Sequence, residues 1–185
     1  MARLRPGRCY REIKKPAYTR AARRVQKKNF IGSIPPIRIR KFDMGNPHNN
    51  YDYTIAIVSK GPVQIRQEAL EAARINANNV ISKRIEKKGY FMRVVPYPHH
   101  ILRENKMLTG AGADRMQTGM GSKPFGKTIG RAARVSKGEM VLFAKIFEKD
   151  LDVVKKAFLR ARNKLPGDYE IVVSKLENQD TGAAA

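Results

Sequence analysis

The chain has 185 residues, 42% of them hydrophobic, which suffices for one ordinary domain with a packed core and excludes a wholly disordered chain. Thirty-eight Lys and Arg face sixteen Asp and Glu, and the net charge of +22 indicates a polyanionic partner, with nucleic acid ahead of an anionic membrane. No apolar run approaches the roughly 20 residues of a membrane-spanning helix, and the single cysteine excludes an intramolecular disulfide and a cysteine-cluster zinc site.

Residues 1–41 are predicted to form an extended basic arm. They contain fourteen Lys and Arg against one acid, Glu12, and four prolines interrupt them. Tyr10, Tyr18 and Phe30 are interleaved with the cations, and this favours RNA, because cations neutralise phosphates while aromatic rings stack on bases. A solubilising tail without a partner is the alternative. The arm cations expected to bind RNA are Arg3, Arg5, Arg8, Arg11, Lys14, Lys15, Arg20, Arg23, Arg24, Lys27 and Lys28.

After the arm, the sequence predicts a strand, a helix and a second strand. The stretch Tyr53–Ser59 is typical of a strand, and Pro62 suits the first turn of a helix. Apolar residues then recur at helical spacing, and Gly89 is the predicted stop. The apolar positions are Leu70, Ala73, Ala77, Val80, Ile81 and Ile85. Residues 90–95, which Pro96 follows, predict the second strand.

Residues 103–138 are predicted to be a Gly-rich basic loop. They hold seven of the fourteen glycines of the chain. A polar segment of this length within a small domain is either functional or disordered. The cations in its second half that we expect to hold RNA phosphates are Lys123, Lys127, Arg131 and Arg134.

The last part of the chain again predicts a strand, a helix and a strand. Residues 139–147 are mostly apolar, Asp150 suits a helix N-cap, and Pro166 with Gly167 would end that helix. Residues 168–176 predict the final strand, and residues 177–185 are expected to be a frayed tail. The order of elements predicts an α+β fold in which residues 42–176 form a single domain.

The stretch GSKPFGKT, residues 121–128, matches the phosphate-loop motif G-x-x-x-x-G-K-[ST] of nucleotide hydrolases. Such a loop lies between a buried strand and the N-terminus of a helix, whose free N–H groups hold the phosphates. Here no strand pattern precedes the motif, and Gly130 follows it at the place where a helix should begin. The next apolar stretch of the chain is interrupted by Lys145. We therefore interpret the match as accidental and keep a nucleotide-dependent enzyme as an alternative.

No other set of residues indicates catalysis, a metal site or a cofactor. His99 and His100 are adjacent, so in an extended segment their side chains point to opposite sides. Cys9 is isolated in the arm, and no Ser, His and carboxylate together suggest a nucleophile with its base. We expect a protein without catalytic residues, metals or cofactors.

Four stretches give the sequence a resemblance to a known family. They are RPGRCYREIKKPAYTR in the arm, EALEAARINAN in the first predicted helix, LRENKMLTGAGADRMQTGM in the Gly-rich segment and ARVSKGEMVLFAKI after it. Over residues 2–176 the chain resembles the universal large-subunit ribosomal protein L16 family in its archaeal and eukaryotic branch, L10e. The archaeal form of the family fits best.

The resemblance implies a two-layer α+β sandwich with mixed or antiparallel strands, two helices and a hammerhead-like β element. It implies a structural role in the large ribosomal subunit in the cytoplasm, near the peptidyl-transferase centre, where the family shapes the aminoacyl-tRNA site and joins late in assembly. The implied partners are large-subunit rRNA, tRNA and neighbouring ribosomal proteins, without a membrane or a second copy of the chain. A free RNA-binding regulator is the remaining alternative. The loop residues implied to face tRNA are Arg103, Asn105, Lys106, Gly110, Ala111, Gly112, Ala113, Asp114 and Arg115.

Overall fold

The computed structural model of the protein describes residues 5–14, 16–19, 31, 33–104 and 126–176. These residues form two α-helices and eight β-strands. The helices are α1 (Gln67–Ile81) and α2 (Leu151–Arg162). The strands are β1 (Asp43–Gly45), β2 (Tyr53–Ser59), β3 (Val63–Arg66), β4 (Tyr90–Val94), β5 (His100–Glu104), β6 (Lys127–Val135), β7 (Met140–Ile146) and β8 (Tyr169–Lys175).

The strands make two sheets in which every neighbouring pair is antiparallel. The larger sheet has the order β1-β4-β7-β2-β8, and the smaller sheet has the order β3-β6-β5. The expectation of an α+β fold with two helices and antiparallel strands is therefore confirmed for the described residues. The hammerhead-like β element stays a prediction.

One hydrophobic core connects both sheets and both helices. The helices pack against each other, α2 contacts β2 and β8, and α1 contacts β3 and β6. Ile55, Leu142 and Phe158 are fully buried in this core, and Ile65 and Val135 extend it into the smaller sheet. The smaller sheet is thus fixed to the body by apolar packing, and this placement decides where the N-terminal segment can lie.

Most strands of the larger sheet lie where the sequence predicts them. β2 has the predicted bounds, and β4, β7 and β8 lie within the predicted stretches. Asp150 occupies the N-cap position of α2, as expected, but its side chain makes no capping hydrogen bond. α2 ends at Arg162, before the predicted stop at Pro166, and the chain continues in a turn.

The predicted start and end of the first helix are wrong. Pro62 does not open the helix, because Val63–Arg66 forms strand β3 and pairs with β6. The helix ends at Ile81 and not at Gly89. Ile85 lies in the turn after the helix, but it is only 7% exposed and keeps the apolar spacing of the helix. The apolar pattern in the sequence is therefore longer than the helix itself.

Residues 103–138 are not the continuous loop that the sequence predicts. β5 extends to Glu104, and residues 127–135 form β6, the central strand of the smaller sheet. Glu104 lies opposite Lys127 in the pairing of β5 with β6. The buried positions of β6 include Gly130, Ala132 and Ala133. These small residues lack the β-branched pattern by which a strand is recognised.

Gly45 allows β1 to approach β4 closely. Its φ is 89°, a left-handed conformation that L side chains rarely adopt, and a Cβ there would overlap the carbonyl oxygen of Tyr90. Gly45 pairs with Phe91, so a shift of this residue would disturb the edge of the larger sheet.

We expect Gly45→Ala to lower the free energy of unfolding by about 1–3 kcal/mol through the backbone strain alone, with the overlap adding to the loss. Gly61→Ala is the matched control, since a Cβ at Gly61 meets no atom within 4 Å. Chemical denaturation of both variants measures the difference. Equal stability of the two variants would show that the close approach of β1 to β4 does not constrain the fold.

Candidate RNA interface

The start of the predicted arm is attached to β3 through backbone carbonyl groups of the arm. The Gln64 N–H donates to the carbonyl oxygen of Arg11 at 2.8 Å, and Gln64 Nε2 donates to the carbonyl oxygen of Tyr10 at 2.8 Å. Arg66 Nη1 donates to the carbonyl oxygen of Arg5 at 3.2 Å. Because Gln64 is only 5% exposed, its two bonds are shielded from water. Together with the exposed bond from Arg66, they fix residues 5–11 along the strand.

A second attachment joins the arm to β5. The Ile101 N–H donates to the carbonyl oxygen of Tyr18 at 3.0 Å, and the Tyr18 N–H donates to His100 Nδ1 at 2.8 Å. The guanidinium carbon of Arg103 lies 4.4 Å from the centroid of the Tyr18 ring, which is a cation–π contact. The arm therefore crosses the smaller sheet from β3 to β5.

β6 holds the end of the arm. Arg131 Nε donates to the carbonyl oxygen of Pro35 at 2.7 Å, and Thr128 Oγ1 donates to the carbonyl oxygen of Ser33 at 2.9 Å. Arg134 Nε donates to Gln64 Oε1 at 3.2 Å, and its Nη2 lies 3.4 Å from the carbonyl oxygen of Pro16. Two of the arginines predicted to hold RNA thus also hold the arm.

The other described arm cations lie at the surface. Arg8, Arg11 and Lys14 are exposed, and Lys127 at the start of β6 is exposed as well. The Arg5 side chain is half-exposed and lies 3.5 Å from the carboxylate of Glu104. Because the arm is held largely by its backbone, most of these side chains remain available to a polyanion.

Many of the predicted site residues lie outside the described residues. In the arm and in the second half of the Gly-rich segment 103–138 these are Arg3, Lys15, Arg20, Arg23, Arg24, Lys27, Lys28 and Lys123. In the predicted tRNA-facing loop they are Asn105, Lys106, Gly110, Ala111, Gly112, Ala113, Asp114 and Arg115. Of that loop, Arg103 is described, and it lies on β5.

The phosphate-loop motif does not lead into a helix. Its last two residues, Lys127 and Thr128, begin β6 and pair with β5. The Thr128 hydroxyl, which would bind a metal ion in a nucleotide hydrolase, donates to the arm at Ser33. Since strand β6 and not a helix follows the motif, the helix N-terminus that would hold the phosphates of a nucleotide is missing at this point of the described chain.

A second basic cleft, which the sequence did not suggest, lies between α1 and the β1–β4 edge. Its volume is about 580 Å³, and its rim includes the exposed residues Arg40, Lys41 and Lys87. Two further arginines in the cleft are paired with carboxylates, Arg74 with Glu71 and Arg93 with Asp43. The pairing of β1 with β4 brings Lys41 and Lys87 together, and no local pattern in the sequence signals this.

Neither a metal centre nor a membrane-spanning helix is found in the part of the chain that the structure describes. There, no group of three or more His, Cys, Asp or Glu residues is placed to hold a metal ion. None of the described helices is long and apolar enough to span a bilayer.

His100 is a half-buried neutral imidazole at the centre of the interface. Burial, and secondarily the charge of Arg134, lowers the pKa of His100 to about 4. The Nδ1 atom accepts the bond from the Tyr18 N–H, which places the ring proton on Nε2. Protonation would put a hydrogen on the accepting nitrogen and a positive charge within 3.5 Å of Arg134 Nη2.

His100 should make stability depend on pH between about 6.5 and 4. As pH falls through this range, the unfolded chain binds a proton at His100 and the folded protein does not, so the free energy of unfolding decreases. We expect His100→Asn, whose carbonyl oxygen can replace Nδ1 as acceptor, to reduce this dependence. Denaturation of the wild type and the variant across the range measures it.

The exposed neighbour offers a matched control, because His99→Asn removes a histidine without affecting the bond to Tyr18. The control should keep the wild-type dependence of stability on pH. An identical pH dependence for His100→Asn and the wild type would contradict a neutral His100 in the folded protein.

Comparison with known proteins identifies the family. The model of the family ribosomal protein L16p/L10e matches residues 13–172. Curated archaeal relatives are named large ribosomal subunit protein uL16. The Thermofilum pendens protein is 45% identical over 94% of this chain and 99% of its own length. Those of Staphylothermus marinus and Metallosphaera sedula are 44% and 43% identical, over 94% and 96% of this chain and 95% and 98% of their own lengths. The matched family model spans most of the chain, and the relatives match nearly end to end. The chain therefore belongs to the ribosomal protein L16p/L10e family, as its sequence motifs indicate.

Proposed function

We propose that this protein is a structural, non-catalytic constituent of the large ribosomal subunit that binds ribosomal RNA. The observation that carries the proposal is the nearly full-length match to archaeal proteins named for that subunit. The net charge of +22 suits it, because such a charge is stabilised best by a polyanion. The protein accordingly resides with ribosomes in the cytoplasm, and its partners are rRNA and neighbouring ribosomal proteins.

The arm along the smaller sheet is the first proposed contact with RNA. Its backbone is held by β3, β5 and β6 before any RNA binds, so less conformational entropy is lost on binding than for a free tail. Arg8 and Arg11 then present charges to phosphates, and contacts with phosphates fix position without reading sequence.

The second proposed contact is the basic cleft at Arg40, Lys41 and Lys87. It lies on the body of the protein, beside β1 and α1, and its cations come from segments far apart in the chain. A protein with two basic surfaces can neutralise two RNA segments that would otherwise repel each other, which suits a structural role inside an RNA-rich particle.

The finer placement of the protein follows from its family resemblance. We propose a single copy near the peptidyl-transferase centre, where residues 103–115 extend toward tRNA and help to shape the aminoacyl-tRNA site. Arg103 at the start of this segment lies on β5 and contacts Tyr18, so the arm and the proposed tRNA-facing segment share a support. A role late in subunit assembly is part of the same proposal, as are a 1–41 arm, a 42–176 domain and a 177–185 tail.

A density gradient of cell lysate tests the proposed function. We expect the protein to sediment with large subunits and whole ribosomes at near one copy per particle, and RNase treatment to release it. A protein that stays at the top of the gradient in moderate salt would contradict the proposal. That result would direct attention to a free RNA-binding regulator, or to nucleotide binding at residues 121–128.

Charge reversal tests the second basic cleft. For binding to a large-subunit rRNA fragment, the slope of log K against log salt is about −0.7 to −0.9 for each phosphate neutralised. We expect Lys41→Glu with Lys87→Glu to make this slope less negative by about 2, since each lost phosphate contact removes about 1. Binding titrations over a series of salt concentrations measure the slope.

A control for this variant carries the same change of charge on the exposed face of α2, as Lys155→Glu with Lys156→Glu. The control should keep a slope near that of the wild type, because it removes no phosphate contact. Equal slopes for the two double variants would show that the cleft makes no specific phosphate contacts.

A further inference from the structure

A cavity of about 440 Å³ lies between the arm and the smaller sheet. Arm residues from Arg8 to Tyr18 form one wall, and residues of β3, β5 and β6 form the other. Its volume falls within the range of small-molecule sites, roughly 300–1,000 Å³. Neither the attachment of the arm nor the exposed cations of the proposed RNA contacts require an open space here.

The charges around the cavity favour an anionic ligand. Arg8, Lys14, Arg103 and Arg134 line it, against Glu12 among the described lining residues. Lys14 Nζ lies 2.9 Å from Glu12, and the hydrogen bond between them lowers the pKa of Glu12, so this carboxylate stays ionised and neutralises Lys14. The arginines on both walls leave the cavity positive, and guanidinium groups bind phosphate well.

The aromatic and guanidinium groups of the walls favour a flat ring as well. The Tyr18 ring and the Arg103 guanidinium already stack on each other, and both planar groups line the cavity. Arg103 Nε is buried and has no hydrogen-bond partner among the described residues. A buried donor without a partner is costly, and a ring nitrogen or carbonyl of a ligand would satisfy it.

We propose that this cavity binds one unstacked nucleotide, with its base against Tyr18 and Arg103 and its phosphate against the arginines of the walls. RNA recognition commonly uses bases that leave the stack and lie on aromatic or guanidinium planes. The ligand is either an unpaired nucleotide within RNA or a free nucleotide in solution, and the experiment below distinguishes the two. If it comes from rRNA, the inference rests on the proposed function, because the ribosome then supplies the ligand.

Cys9 provides a reporter for occupancy of the cavity. It lines the cavity, it is exposed, and it is the single cysteine among the 185 residues. The experiment follows alkylation of Cys9 by iodoacetamide, an uncharged reagent, at constant ionic strength. The probes are a short RNA hairpin with one bulged adenosine, the same hairpin fully paired, AMP, and inorganic phosphate.

We expect the bulged hairpin to protect Cys9 at about tenfold lower concentration than the paired hairpin, because stacking of one base contributes a factor of this size. AMP should protect Cys9 better than phosphate does. Equal protection by AMP and phosphate would overturn the proposal, since a phosphate alone would then account for binding. Measurable and equal protection by the two hairpins would overturn it as well, since the unpaired base would then contribute nothing. Protection by AMP but not by the bulged hairpin would assign the site to free nucleotides.

Substitution of the stacking ring supplies a second test. Tyr18→Leu keeps an apolar side chain and leaves the backbone bonds of Tyr18 in place, so we expect the preference for the bulged hairpin to disappear. Tyr97→Leu is the matched control, because Tyr97 is 42% exposed and does not line the cavity. If Tyr18→Leu disturbs folding, Arg103→Lys replaces it, since it keeps the charge and removes the plane. A retained preference in the folded variant would overturn the proposal.

Failure of this inference and failure of the proposed function give different results. A protein that sediments with large subunits, but whose Cys9 is protected neither preferentially by the bulged hairpin nor better by AMP than by phosphate, retains its proposed function and loses the nucleotide site. A protein that stays at the top of the gradient while AMP protects Cys9 retains the site and loses the ribosomal function.

Discussion

The apolar core shared by the two sheets is the interaction on which the rest of this structure depends. A chain with a net charge of +22 tends to expand, because its cations repel one another. Ile65 and Val135 bury the smaller sheet in the same core as Phe158 of α2. This packing holds β6, a strongly basic strand, next to the basic arm. It opposes the repulsion between them although few Asp and Glu are present to neutralise their charges.

The attachment of the arm spares most of its charges. The bonds from Gln64 and Ile101 end on peptide carbonyl groups of the arm, so they do not use the side chains of Arg8 and Arg11. Lys14 pairs with Glu12 within the arm. Arg131 and Arg134 differ, because their guanidinium groups reach arm carbonyls across the sheet. The residues predicted as one class of RNA-binding cations therefore divide into exposed side chains and side chains that position the arm, although both kinds remain candidates for contact with phosphates.

The sequence allowed prediction where a strong local pattern decides the structure. The strand Tyr53–Ser59 follows from its β-branched and aromatic residues, and the helix after Asp150 follows from apolar residues at helical spacing. β6 escaped prediction because Gly130 and Ala132 fill its buried positions, and small residues carry little strand signal. The cleft at Lys41 and Lys87 could not be predicted at all, since it depends on the long-range pairing of β1 with β4. The basic character of the arm could be predicted from its composition. Its attachment to β3, β5 and β6 could not, because it also depends on contacts between segments far apart in the chain.

Glu104, the last residue of β5, lies opposite Lys127, the first residue of β6, and this register has a consequence for how the sequences of the family can vary. The chain leaves the smaller sheet at the end of β5 and returns beside that point at the start of β6, so the sheet itself closes the intervening segment. The entropy of closing such a segment grows slowly with its length, by about 0.6 kcal/mol for each doubling. Insertions and deletions between these two strands should therefore leave the body of the protein almost unaffected, and evolution can adjust the reach of this segment independently of the fold that carries it.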